Sequence, residues 1–280
     1  MSRGLHKYLL DRVEAPRLQL SSRFKGLTKM DGVFVVRVPQ MRSTPIFCLL
    51  TLALASCATG PGFVATQPTT LKPLRLVLIG DSTVCNYTDA DSAHRHGWGM
   101  HIQEYFKSDL TVSNLALSGR STKTFIQQGH WDEALKEKPD IVLIQFGHND
   151  SHAPTAPEAT NAATDFRDYL RKYIDDTRAI GGVPILVTPM CRRTTTDALA
   201  PYADAMKAVA AEKHVALIDL HASSARLYQQ LGPEATNELS SGDNTHFNAK
   251  GAEAMAKLVM DEFPVVAPQV KSYLIKPLSP

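Results

Sequence analysis

Long apolar runs, usable cysteines and dense positive charge are all scarce in this chain, and each scarcity closes off a class. The apolar run Ile46–Ala55 is about half of the roughly 20 residues that a membrane-spanning helix needs. Of four cysteines, Cys48 and Cys57 fall in a leader, which leaves only Cys85 and Cys191 for a disulfide. An exported context permits that bridge, and spacing alone leaves its geometry open. Beyond Cys57 no Lys/Arg patch with interleaved aromatics occurs, so a nucleic-acid surface is excluded. No repeat or low-complexity tract is present, no apolar lid insertion stands out, and no Gly-x-Ser-x-Gly elbow occurs.

What is there suffices for one α/β domain: 280 residues, 44% of them hydrophobic. Residues 1–40 show no clean period and read as an over-extended start ahead of Met41. Residues 41–56 read as a lipoprotein signal: Arg42 is the basic start, and Leu54-Ala55-Ser56-Cys57 matches a lipobox. Cys57 is then the lipidation site, and Ala58 after it points to outer-membrane sorting. After Cys57 the chain carries 21 basic and 25 acidic side chains, so the formal excess of positive charge belongs to the leader. Gly/Pro/Thr-rich residues 57–73 read as a tether, 74–264 as the domain and 265–280 as a C-terminal tail.

Within the domain, short apolar runs at Arg75–Ile79, Thr111–Asn114, Ile141–Phe146, Pro184–Thr188 and Val215–Leu220 predict five buried strands. Helical patterns fall at Trp98–Phe106, Asp132–Lys136, Ala162–Ala179, Pro201–Lys213, Ala222–Leu231 and Ala249–Glu262. Strands alternating with helices imply right-handed crossovers and a parallel sheet covered on both faces. The expected fold is α/β: a flavodoxin-like three-layer α/β/α sandwich with a five-stranded parallel sheet.

Ligands of such sheets bind beyond the carboxyl ends of the strands. There Gly80-Asp81-Ser82-Thr83 would present a serine hydroxyl on a tight turn, although the same triplet also makes an ordinary capped turn. Gly119 in Ser118-Gly119-Arg120 could offer its N–H to an oxyanion. Asn149 in Gly147-His148-Asn149-Asp150 could add a side-chain amide to it. Asp243 and His246, three apart before the last helix, could orient an imidazole toward the serine, or could equally form a solvated turn. His94, His96 and His101 lack strand-borne ligand geometry, and no metal or other cofactor is assigned.

Taken together, in that order, the Ser, Gly, Asn and His blocks resemble the signature of SGNH (GDS-type) hydrolases. Gly80–Val84, Gly97-Trp98-Gly99, Ser118–Ser121, Phe146–Asp150, Thr188-Pro189 with Arg192-Arg193, and Asp243-x-x-His246 are similar to rhamnogalacturonan acetylesterases and their bacterial relatives. The resemblance spans Leu74 to Phe263. It implies a serine esterase that deacetylates plant cell-wall polysaccharide, rhamnogalacturonan or another pectin first. Ser82, Asp243 and His246 would be catalytic, with Ser82, Gly119 and Asn149 as the oxyanion hole. Arg192, Arg193, Arg120 and His148 would contact substrate. Thr194-Thr195-Thr196 lacks the aromatic expected there in relatives. A lipid or thioester hydrolase on the same fold, and a non-catalytic glycan-binding lipoprotein, are the alternatives.

Overall fold

The computed structural model describes residues 71–88, 90 and 93–277. The readings placed on residues 1–40, on the signal at 41–56, on Cys57 and on most of the tether lie outside those residues. Five strands form one all-parallel sheet: β1 (Leu74–Gly80), β2 (Leu110–Asn114), β3 (Ile141–Gln145), β4 (Val183–Val187) and β5 (Ala216–Ile218). Their order is β2-β1-β3-β4-β5, with Leu78 in register with Asn114 on one side and Leu143 on the other. The helices are α1 (Thr122–Gln127), α2 (His130–Lys136), α3 (Asp165–Ala179), α4 (Ala200–Lys213), α5 (Leu220–Asn237) and α6 (Ala249–Val266). Two 3-10 helices, Trp98–Tyr105 and Pro268–Tyr273, complete the domain.

The two-residue alternation of β1 sorts the core into two halves. Leu76 and Leu78 join Ile102, Met255, Val259 and Phe263 on the face covered by α5, α6 and the 3-10 helices. Val77 and Ile79 join Phe125, Trp131, Phe166, Tyr173 and Met206 on the face covered by α1 to α4. Because both faces are covered, all five residues of β3 are buried, and its sequence is close to a continuous apolar run. Each fully buried large apolar side chain contributes about 1.5–3 kcal/mol. The expected three-layer sandwich with a five-stranded parallel sheet is the fold observed.

Three elements differ from the sequence expectation. α1 was not anticipated, since six residues are too few to show a helical period; a reciprocal cap between Ser121 and Thr124 starts it. α5 passes Leu231 and bends at Gly232, whose φ of 73° no helical residue adopts, before continuing from Pro233 to Asn237. The stretch read as a tail from residue 265 instead completes α6 and forms a 3-10 helix whose Val270 is fully buried and whose Tyr273 hydroxyl donates to Lys72 O at 2.7 Å. Cys85 and Cys191 are both free thiols, and burial pushes each up to about 11. Among the described residues no helix is long and apolar enough to cross a membrane.

Candidate functional site

The strand order reverses between β1 and β3, and the turns leaving those two strands meet there. The turn after β1 is closed by the amides of Val84 and Cys85, which donate to Asp81 O at 3.1 Å each. Asp81 Oδ1 accepts from the Thr83 amide at 2.9 Å and its hydroxyl at 2.7 Å. A buried relay extends this anchor, with Trp98 Nε1 donating to Gln145 Oε1 at 2.7 Å and Gln145 Nε2 to Thr83 Oγ1 at 2.9 Å. Neither Gln145 nor Trp98 was singled out for this purpose in sequence, because the contacts join positions 47 and 62 residues apart. The result is a serine, 6% exposed, whose backbone is fixed from below.

Across it stands the turn that precedes α6. His246 Nε2 lies 2.8 Å from Ser82 Oγ, and His246 Nδ1 lies 2.7 Å from Asp243 Oδ2. Asp243 Oδ1 accepts the amides of Thr245 at 2.7 Å and His246 at 2.6 Å. Burial works to raise the Asp243 carboxyl, but these amides and the imidazole outweigh it and hold the carboxyl down at about 2. Asp243 is therefore ionised at working pH and selects the tautomer with hydrogen on Nδ1, leaving Nε2 as acceptor for the serine proton.

Gly119 and Asn149 sit on the loops after β2 and β3. Gly119 has φ of 78°, and its N–H has no partner among the described residues. A β-carbon there would meet nothing within 4 Å, so strain of the left-handed backbone, not space, favours glycine. Asn149 Nδ2 donates to Arg120 O at 2.9 Å, which uses one amide hydrogen and leaves the second. Asp150 ties both loops together: fully buried, it accepts from Thr122 N and Oγ1, Thr160 Oγ1 and Gly147 N. Burial outweighs those donors and pushes its carboxyl up to about 6.

The four residues expected to touch substrate each make contacts within the chain. His148 is 2% exposed, and its Nδ1 faces Asp81 Oδ2 at 3.4 Å beneath the serine turn. Burial works to raise Asp81, and the facing imidazole with the Thr83 donors brings it below its usual value. Arg120 folds back, donating to Ser118 O at 2.8 Å and Gln128 Oε1 at 3.0 Å. Arg192 donates to His148 O at 2.9 Å. Arg193 grips the acid–base turn through Asp243 O at 2.8 Å and His246 O at 2.6 Å, and its guanidinium lies over the Phe247 ring at 4.6 Å. Arg95, which was not anticipated, reaches 3.8 Å from Asp243 Oδ2.

Two open hollows adjoin these turns. One of about 740 Å³ is lined by Arg192, Arg193, Thr194, Tyr228, Asn237 and Asn244. The other, about 530 Å³, includes Asn86, Tyr87, Leu117, Ser118 and Arg120.

Residues 78–254 match the model of the GDSL-like Lipase/Acylhydrolase family. The chain is 37% identical over 196 residues to the Bacillus subtilis (strain 168) protein named "Probable rhamnogalacturonan acetylesterase YesY", covering 66% of this chain and 89% of that one. It is 35% identical over 229 residues to Rhamnogalacturonan acetylesterase RhgT of the same organism, covering 73% and 95%. Among solved structures, Bacillus subtilis YxiM superposes with a TM-score of 0.62 at 30% identity, covering 70% of this chain and 57% of that one.

Proposed function

Since the chain belongs to the GDSL-like lipase/acylhydrolase family, we propose that it is a carbohydrate acetylesterase that removes acetyl groups from plant cell-wall polysaccharide, acetylated rhamnogalacturonan first. The observation that carries the reading is the unbroken hydrogen-bond line from Asp243 through His246 to Ser82, at 2.7 and 2.8 Å. In this mechanism His246 Nε2 takes the serine proton as Ser82 Oγ attacks the acetyl carbonyl. The oxyanion is held by the amides of Ser82 and Gly119 and by the free hydrogen of the Asn149 amide. His246 then protonates the leaving sugar hydroxyl, activates water, and acetate departs. The open hollows next to the serine and acid–base turns carry hydrogen-bonding side chains, Asn86, Ser118 and Arg120 in one and Arg192, Arg193 and Asn244 in the other, which a sugar chain can use. Cys57, read as lipid-bearing, would hold the enzyme at an exported membrane face where polymer arrives.

Acetate release from acetylated rhamnogalacturonan, homogalacturonan and xylan, with Ser82→Ala alongside, tests the reading. Fastest release from rhamnogalacturonan that Ser82→Ala abolishes supports it. Equal rates on all three would remove the preference for rhamnogalacturonan, and release that survives Ser82→Ala would remove the serine mechanism.

A further inference from the structure

Outside the serine site, three metal-ligating side chains converge: Cys191 and Asp197 from the loop between β4 and α4, and His221 from the first turn of α5. Cys191 Sγ lies 3.3 Å from His221 Nε2, the same nitrogen lies 3.2 Å from Asp197 Oδ1, and the three atoms are all within 4.8 Å of one another. Around a tetrahedral zinc ion with bonds of about 2.0–2.3 Å, neighbouring donor atoms stand roughly 3.3–3.6 Å apart. The two separations from His221 Nε2 are close to those edges, and Cys191 Sγ and Asp197 Oδ1 lie within 4.8 Å of each other. We propose that Cys191, Asp197 and His221 form a transition-metal site, fitted to a zinc ion, with solvent water as the fourth ligand.

The geometry distinguishes this from a second catalytic triad. A nucleophile and an orienting acid use opposite nitrogens of the imidazole. Here thiol and carboxylate both approach the same nitrogen, Nε2, at 3.3 and 3.2 Å, while the thiol also lies 3.4 Å from His221 O. A shared cation at this point would engage all three donor atoms at once. Thiolate, imidazole and carboxylate together suit zinc or cobalt better than magnesium or calcium.

The ligands are also held in place by neighbours. The Cys191 amide donates to Ser224 Oγ at 3.0 Å, that hydroxyl donates to His221 O at 3.0 Å, and the His221 amide donates to Thr188 Oγ1 at 2.8 Å. Asp197 Oδ1 accepts from Ala200 N at 3.0 Å, which sets it against the start of α4. The Asp197 side chain is 46% exposed, so the fourth position opens to water. On binding, the Cys191 S–H bond is replaced by a bond from sulfur to metal, and the proton passes to solvent. The ion would pin residues 191–197 to α5, and with them the two arginines that hold the serine site from this side. This inference stands apart from the acetylesterase reading.

The test is zinc titration of the chelator-treated full chain by calorimetry, with cobalt absorption as a second readout. One zinc per chain, a thiolate-to-cobalt charge-transfer band, and affinity weakened by more than about tenfold in both Cys191→Ser and Asp197→Asn are expected. Ser82→Ala should bind as tightly as the wild type. Absence of binding, or a band and affinity unchanged in a folded Cys191→Ser protein, would overturn the site. Asp197→Asn, altered at an exposed position, keeps the test decisive should the cysteine variant misfold.

Discussion

Arg193 shows how a single side chain can take part in contacts that its local sequence does not reveal. As a cation after a strand end it looked suited to a galacturonate carboxylate, yet its guanidinium binds two carbonyls of a turn 50 and 53 residues away. That partner is invisible in local sequence. Arg193→Ala should therefore lower kcat by roughly 10–100-fold on a neutral aryl acetate and on acetylated polymer alike, because misplacing the base by an ångström has that scale of effect. A rise in KM confined to the charged polymer would return it to substrate binding. Ser82→Ala and His246→Ala should lower kcat by several orders of magnitude, with Asp243→Asn near 10⁴-fold and Asn149→Ala about 10²–10³-fold, all with melting curves near that of the wild type. Because the Asp243 carboxyl is held near 2, it stays ionised through mildly acid pH. Its contribution to stability is present above the ordinary 3.8 and is lost only as pH falls through about 2. The candidate residues Ser82, Asn149, Asp243 and His246 were legible because each follows a strand or precedes the last helix in a short polar block; their supports, Gln145, Trp98 and Arg95, were not, because long-range contacts define them.

At the level of elements, strands were legible wherever both faces of the sheet are covered, since full burial leaves an uninterrupted apolar run such as Ile141–Gln145. Elements below the length of a helical period escaped, α1 foremost, as did the continuation of α5 past Gly232. The loops after β2 and β3 meet on Asp150, and that junction carries a pH signature. Its carboxyl is raised to about 6, so the folded state binds its proton more tightly than the unfolded chain does. The associated stability is fully present below about pH 3.8 and is lost as pH rises through 6, on the order of 3 kcal/mol in all. Asp150→Asn should be less stable than the wild type at pH 4, where the Gly147 amide loses its acceptor oxygen and faces an amide NH2 instead, and the difference should shift in favour of the variant by about that amount at pH 7. Denaturant unfolding of both proteins across this range measures it; parallel curves would show that the carboxyl does not titrate there.

Across the whole molecule, the C-terminal 3-10 helix closes the domain that the sequence reading ended near residue 264. Val270, Tyr273 and Leu274 are buried beside α6, and the Ile275 amide donates to Tyr105 O at 2.9 Å. Ending the chain after Val266 should cost several kcal/mol, at about 1.5–3 kcal/mol per buried side chain, and lower Tm by more than about 10 °C. An unchanged thermal transition would mean that the segment only decorates the surface. Replacing Cys57 by serine should release an active enzyme from membranes, which fractionation followed by an acetate assay would detect; retention of the processed variant would end the lipid-anchor reading. The Ser82–His246 contact joins residues 164 apart in the chain. Synthesis runs from the N-terminus at about 5–20 residues per second, so a growing polypeptide carries its serine for roughly 10–30 s before the imidazole exists. On the proposed serine mechanism, the nascent chain cannot cleave esters throughout that interval.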